Sequence, residues 1–211
     1  MSLKAIFLSA LTASAFMTGA ASAAVIGIES DCGGTGTGLT GSSFSCSSDA
    51  NRNDTGNIEI FEDGTGAGDD DFFSLGLGGT LVVEFDPTFQ GPAIVIEITN
   101  ASGSAQHQEA VEIFGSNDGI TFTSLGIADN QSGVNDGTRG VSTSLSFAGT
   151  FAFLGFRDIS QSFFAGTSST DGFDIDAISV NSVTPVPLPA SALLLLAGVG
   201  GLGALRARRK S

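Results

Sequence analysis

The sequence predicts an all-β protein, a single antiparallel β-sandwich flanked by an N-terminal signal peptide and a C-terminal transmembrane helix. Three observations predict it. Between residues 24 and 182 no apolar pattern of helical period runs for a useful length, and short segments instead alternate apolar and polar residues with period 2. Clusters of Gly, Asn, Asp and Ser separate those segments; the chain has 30 Gly, the residue that tight turns between strands draw on most. Both ends break the pattern, each with an apolar run beside basic residues.

In order along the chain, Lys4 supplies a positive start, residues 5–17 an apolar stretch, and Ala21-Ser22-Ala23 a small-residue cleavage site. Residues 1–23 therefore read as a signal peptide and residues 24–182 as an exported domain long enough for one core. Strands are expected at 57–61, 81–85, 93–99, 110–114, 120–125, 141–147, 151–156 and 173–180. In 93–99, Ile94, Ile96 and Ile98 share one face, with Glu97 and Thr99 on the other. Val141, Thr143, Leu145 and Phe147 alternate with Ser142, Ser144 and Ser146 in the same way, as expected of a sheet with one buried and one wet face. Residues 183–190 form a linker with the motif Val186-Pro187-Leu188-Pro189-Ala190. Residues 188–205 carry no charge, and as a helix they would span about 27 Å, enough for a thin hydrocarbon core. Arg206, Arg208, Arg209 and Lys210 follow in the tail 206–211, which the positive-inside bias keeps cytoplasmic while the domain lies across the membrane.

Export changes the electrostatics. All 22 acidic residues fall between Glu29 and Asp176, against Arg52, Arg139 and Arg157 alone, so the domain carries −19 where the whole chain carries −14. Such a field repels nucleic acid and favours solubility and cation binding. The two cysteines, Cys32 and Cys46, are expected to form a disulfide in an oxidising compartment, closing a loop of about 15 residues worth about 3 kcal/mol. A metal site at this pair is disfavoured, because the one histidine, His107, lies far away in sequence.

Two carboxylate groups are candidates for Ca²⁺, a cation that takes six to eight oxygen ligands. The first is Asp171, Asp174 and Asp176: on a strand Asp174 and Asp176 project to one face, and Asp171 swings in from the preceding turn. Ile178 and Val180 fall on that same face, so the alternative is a solvated strand end. The second is Asp69-Asp70-Asp71 in a long Gly-rich loop, where a cation would relieve mutual repulsion and an exposed loop would equally tolerate it. Arg157 reads as a structural ion pair or a ligand contact, and His107 as a loop residue between strands. No nucleophile motif suits hydrolysis, so the chain reads as non-catalytic; Glu84, Glu97 and Glu112 are the carboxylates a glycan-acting enzyme would draw on. The chain has 17 Phe and no Tyr or Trp, which suits a core better than a sugar-stacking surface.

Val186 to Ala190, the Leu- and Gly-rich span and the Arg-rich end resemble, in order, the VPLPA variant of the bacterial PEP-CTERM sorting signal. The resemblance implies recognition by an exosortase-type membrane enzyme, removal of the tail and delivery to the cell surface or extracellular matrix. Pro187 and Pro189 support processing there, since they keep the motif extended and out of the helix. A plain tail anchor is the alternative. Residues 171–180 resemble the last strand of exported domains that carry this same sorting tail. A second resemblance rests on Ser116-Asn117-Asp118-Gly119 before the strand bearing Phe122 and on residues 153–158. These are similar to discoidin-like, galactose-binding-like jelly rolls, which often hold a structural Ca²⁺. The two function classes expected are a non-catalytic surface or matrix protein, in adhesion or exopolysaccharide and biofilm association, and a dedicated glycan-binding module. An exposed Phe surface beside an acidic pocket would favour the second.

Overall fold

The computed structural model describes residues 24–39, 44–61, 71–98, 107–135 and 140–182. The signal peptide, Asp69 and Asp70, the VPLPA motif, the 188–205 span and the basic tail lie outside the described residues. Among the described residues no helix is long and apolar enough to cross a membrane.

The described residues form ten strands: β1 (Ala24–Ser30), β2 (Glu59–Phe61), β3 (Phe73–Ser74), β4 (Thr80–Ile98), β5 (Ala110–Ser116), β6 (Thr123–Asp129), β7 (Val134–Asn135), β8 (Gly140–Leu145), β9 (Thr150–Asp158) and β10 (Asp174–Ser182). They form one hydrogen-bonded sheet that folds over on itself at β4. The first half of β4 pairs with β1 and β9, and β9 continues through β5 to β6. The second half pairs with β10 and β8, which lead on to β2 and β7. The sequence reads β4 as two strands, because Asp86-Pro87 and Gly91-Pro92 interrupt it. Proline offers no ladder donor, and β4 shifts register between Glu84 and Phe89, where the strand turns from one layer into the other. Nearly all pairings are antiparallel; β2 is the exception and runs parallel to β10.

The core lies between the layers: Leu81, Val83 and Phe85 from the first half of β4, with Phe156 and Ile113 beside them in the same layer, join Ile175 and Ile178 of the other layer in one cluster. Fully burying each such side chain contributes about 1.5–3 kcal/mol. On the second half of β4, Ala93 and Val95 point into the core and Ile94 is half-buried, so the expected inward face of 93–99 is reversed. Both faces there carry aliphatic residues, and alternation alone could not choose. The strand expected at 120–125 starts later, at Thr123, because the Asp118 carboxylate accepts from the amides of Ile120 (2.9 Å) and Thr121 (2.7 Å) and prolongs the turn. Those two amides hold the Asp118 carboxyl down at about 2. A second, smaller apolar cluster, Leu39, Val82 and Phe114 with Phe122 and Phe153, covers the outer face of the first layer.

Candidate functional site

One end of the sandwich gathers segments that are remote in sequence. Cys32 and Cys46 form the expected disulfide, with Cα atoms 5.4 Å apart. Ser45 bridges Leu77 by two backbone hydrogen bonds, of 3.0 and 2.8 Å, so the strap beginning at Phe44 is clamped to the turn before β4. Gly76 permits this approach: its φ is +77°, and a Cβ there would stand 2.7 Å from both Cys32 Sγ and the Ser45 carbonyl. Beyond the strap, Asp49 and Asp54 cap two short 3₁₀ turns through the amides of Asn51 and Gly56. The first turn delivers Arg52, whose guanidinium lies 4.9 Å from the Phe72 ring centroid and pairs with the Asp171 carboxylate.

Asp171 is buried in the loop before β10, and its carbonyl accepts from Gly76 N at 2.8 Å. Asp174 and Asp176 are buried as well, at 5% and 1% exposure, which overturns the solvated strand end. The register of β10 shifts between Ile175 and Ala177. That irregularity lets Ile175, Ile178 and Val180 all reach the core, so the strict alternation expected from Asp174 to Val180 does not hold. Asp174 accepts from Ser74 Oγ at 2.5 Å. Burial, reinforced by the charges of Glu109 and Asp171, pushes its carboxyl well above the usual range. Asp71 is exposed just before β3.

The sequence reading missed Glu109. Its side chain is fully buried, its Oε1 accepts from Ser169 Oγ at 2.7 Å, and His107 Nε2 stands 3.0 Å from that same oxygen. Asn130 fixes the backbone beneath, accepting from Glu109 N at 3.0 Å and donating to the His107 carbonyl at 3.0 Å. The hydrogen bond to Glu109 raises the His107 pKa above its ordinary value. His107 is thus a loop residue by position and part of a buried polar cluster by contact. The one available signal was a glutamate set directly before the buried run Ala110-Val111.

Asp158, at the end of β9, accepts from Gly78 N (2.8 Å), Ser160 Oγ (2.5 Å) and Phe173 N (3.1 Å). Burial raises its carboxyl despite these donors. It ties the β9 end to both neighbouring turns and positions a short helix, α1 (Ser160–Phe163). Arg157 pairs with Glu112 at 2.5 Å on the outer sheet face.

Two open depressions adjoin at this end. One, of about 360 Å³, is lined by Phe44, Ser45, Asp158, Gln161 and Ser162 among others. The other, of about 530 Å³, is lined by Ser45, Ser47, Ser48, Asp49, Arg52, Thr170 and Asp171. Five Phe are sealed in the core, whereas Phe44 and Phe163 are 48% and 47% exposed; Phe44 lines the first depression and Phe163 lies on the same short helix as Gln161 and Ser162. Elsewhere, Glu84 and Glu29 line a pocket of only about 70 Å³, well below the roughly 300–1,000 Å³ of ordinary ligand sites.

No family model matches the chain, and no curated protein matches it. Solved structures overlap it in part. The family 32 carbohydrate-binding module of Streptococcus pneumoniae EndoD has a TM-score of 0.39 and 9% identity, over 76% of this chain and 96% of that one. A pectin-binding carbohydrate-binding module has a TM-score of 0.36 and 20% identity, over 52% of this chain and 70% of that one. A CBM32-2 module of a GH31 protein, bound to GalNAc, has a TM-score of 0.35 and 13% identity, over 56% and 72%.

Proposed function

We propose that the mature domain is a non-catalytic glycan-binding module, exported and sorted to the cell surface or matrix, where it associates with exopolysaccharide. The observation that carries the reading is Phe44, held half-exposed by a cross-linked strap at the rim of a polar depression. A sugar ring offers an apolar C–H face to an aromatic platform and hydroxyls to planar or hydroxylic partners. Phe44 supplies the first, while Gln161, Ser162 and Ser45 supply the second. The net charge of −19 on residues 24–182 favours a neutral glycan over a polyanion.

Affinity electrophoresis through gels containing dextran, galactan or xylan tests this. At least one of these neutral polymers should retard the protein, and Phe44→Ala should weaken retention at least tenfold with an unchanged Tm. No retardation by any of them, or equal retardation of the variant, would overturn the binding role. The sorting role rests on the tail sequence. Intact mass of surface-released protein should run from near Ala24 to near Val186–Ala190; a released form keeping Arg206 to Lys210 would reduce the tail to a plain anchor.

A further inference from the structure

We propose that His107, Glu109 and Asp171 form a binding site for one divalent cation of the zinc class, apart from the glycan depression. Each residue offers one ligand atom, and the three atoms lie within 4.8 Å of one another. The independent observation is Glu109 Oε2. The side chain is fully buried and Oε1 is engaged by Ser169 and His107, yet Oε2 has no hydrogen-bond partner among the described residues. A buried carboxylate oxygen left without a donor is destabilising, and a cation removes that penalty.

The donor set selects the kind of cation. One imidazole nitrogen with two carboxylates suits a borderline ion that accepts three or four ligands at about 2.0–2.2 Å. Two ligands on such an ion stand roughly 3.3 Å apart, a spacing that ligand atoms already within 4.8 Å of one another reach by small side-chain rotations. Ca²⁺ prefers six to eight oxygens, and this site offers an imidazole in place of one of them. The supporting contacts are in place, because Ser169 holds Glu109, Arg52 holds Asp171, and Asn130 fixes the 107–109 backbone. His107 keeps a third of its side chain in solvent, which gives the ion a way in. The ligands come from two segments remote in sequence, so ion binding would fasten the loop before β10 to the start of β5.

The test is calorimetric titration of chelator-stripped full-length protein with ZnCl₂ and, separately, CaCl₂. The expected result is one zinc per chain, a Tm raised by zinc, and at least tenfold weaker zinc binding in both Glu109→Gln and His107→Asn. Glu109→Gln keeps the shape and the Ser169 contact, and His107→Asn at the solvent edge serves if the buried variant fails to fold. Co²⁺ added to the wild type should give a visible absorption band that His107→Asn loses. Absence of saturable zinc binding in the wild type, or unchanged binding in a folded variant, would overturn the site. Calcium binding as tight as zinc, and insensitive to His107→Asn, would overturn the choice of ion.

Discussion

Two arginines in this domain make nearly the same contacts in different settings. Arg157 pairs with Glu112 and lies 5.0 Å from the Phe114 ring centroid; Arg52 pairs with Asp171 and lies 4.9 Å from that of Phe72. The partner of Arg157 stands on an open sheet face with 22% of its side chain exposed. The partner of Arg52 has 9% exposed, and its charge, with that of Glu109, bears on the buried Asp174. On the sheet face the pair is one more solvated contact, screened by water. At the strap the pair stands among other buried carboxylates, Glu109 and Asp174, where water screens it less. The chemistry of a residue pair therefore says little until the number of unscreened charges behind it is known.

The largest expected effect follows from what holds the strap. Replacing Cys32 and Cys46 by Ser should cost about 3 kcal/mol, or roughly 6–12 °C in Tm for a domain of this size. Calorimetry reads the loss. Hydrogen exchange should then rise at residues 44–54 and remain unchanged around Arg157; equal loosening of both regions would break the comparison. Next, Arg52→Ala should cost about 2 kcal/mol, below the figure for a fully buried pair because Arg52 itself is a third exposed. Arg157→Ala should cost about 0–1 kcal/mol. Urea denaturation checks both, and Asp171→Asn added to Arg52→Ala should recover part of the loss, since it removes the stranded charge.

The smallest expected effect is that of pH. Asp158 and Asp174 have folded-state values raised above 3.8, chiefly by burial. Protonation therefore favours the folded state, and their contribution is full below 3.8 and lost as pH rises through the raised values. His107, raised above 6.5 by Glu109, acts in the same sense at higher pH. Asp118, lowered to about 2, opposes this only as pH falls from 3.8 towards 2. Metal-free protein should melt at a higher temperature at pH 5 than at pH 8, and Asp174→Asn should shrink the difference. An equal or larger difference in that variant would place the pH dependence elsewhere.

The same contrast explains what could be read from the chain. Strands β8 and β10 were legible because apolar and polar residues alternate through them, and β5 and β9 because they are short apolar runs rich in Phe, Val and Ile between turn residues. β1 was not, because its small apolar residues continue from the expected cleavage site. The single passage of β4 through both layers was hidden by Pro87 and Pro92, and the burial of Asp174 and Asp176 beside a register shift leaves no mark in composition. The disulfide was legible because only two cysteines exist. The cluster was not: Arg52, His107, Glu109 and Asp171 are brought together only by the fold, and of the four the sequence marks Asp171 alone as a candidate ligand, grouped with Asp174 and Asp176 instead of with His107 and Glu109.

The most direct measurement is amide chemical-shift mapping of labelled protein titrated with whichever neutral glycan retards it. The expected result is a saturable set of shifts at Ser45, Gln161 and Ser162, with Glu112, Phe114 and Arg157 unmoved. Shifts centred on the Arg157 face, or none at saturating glycan, would contradict the assignment of the strap end as the binding surface.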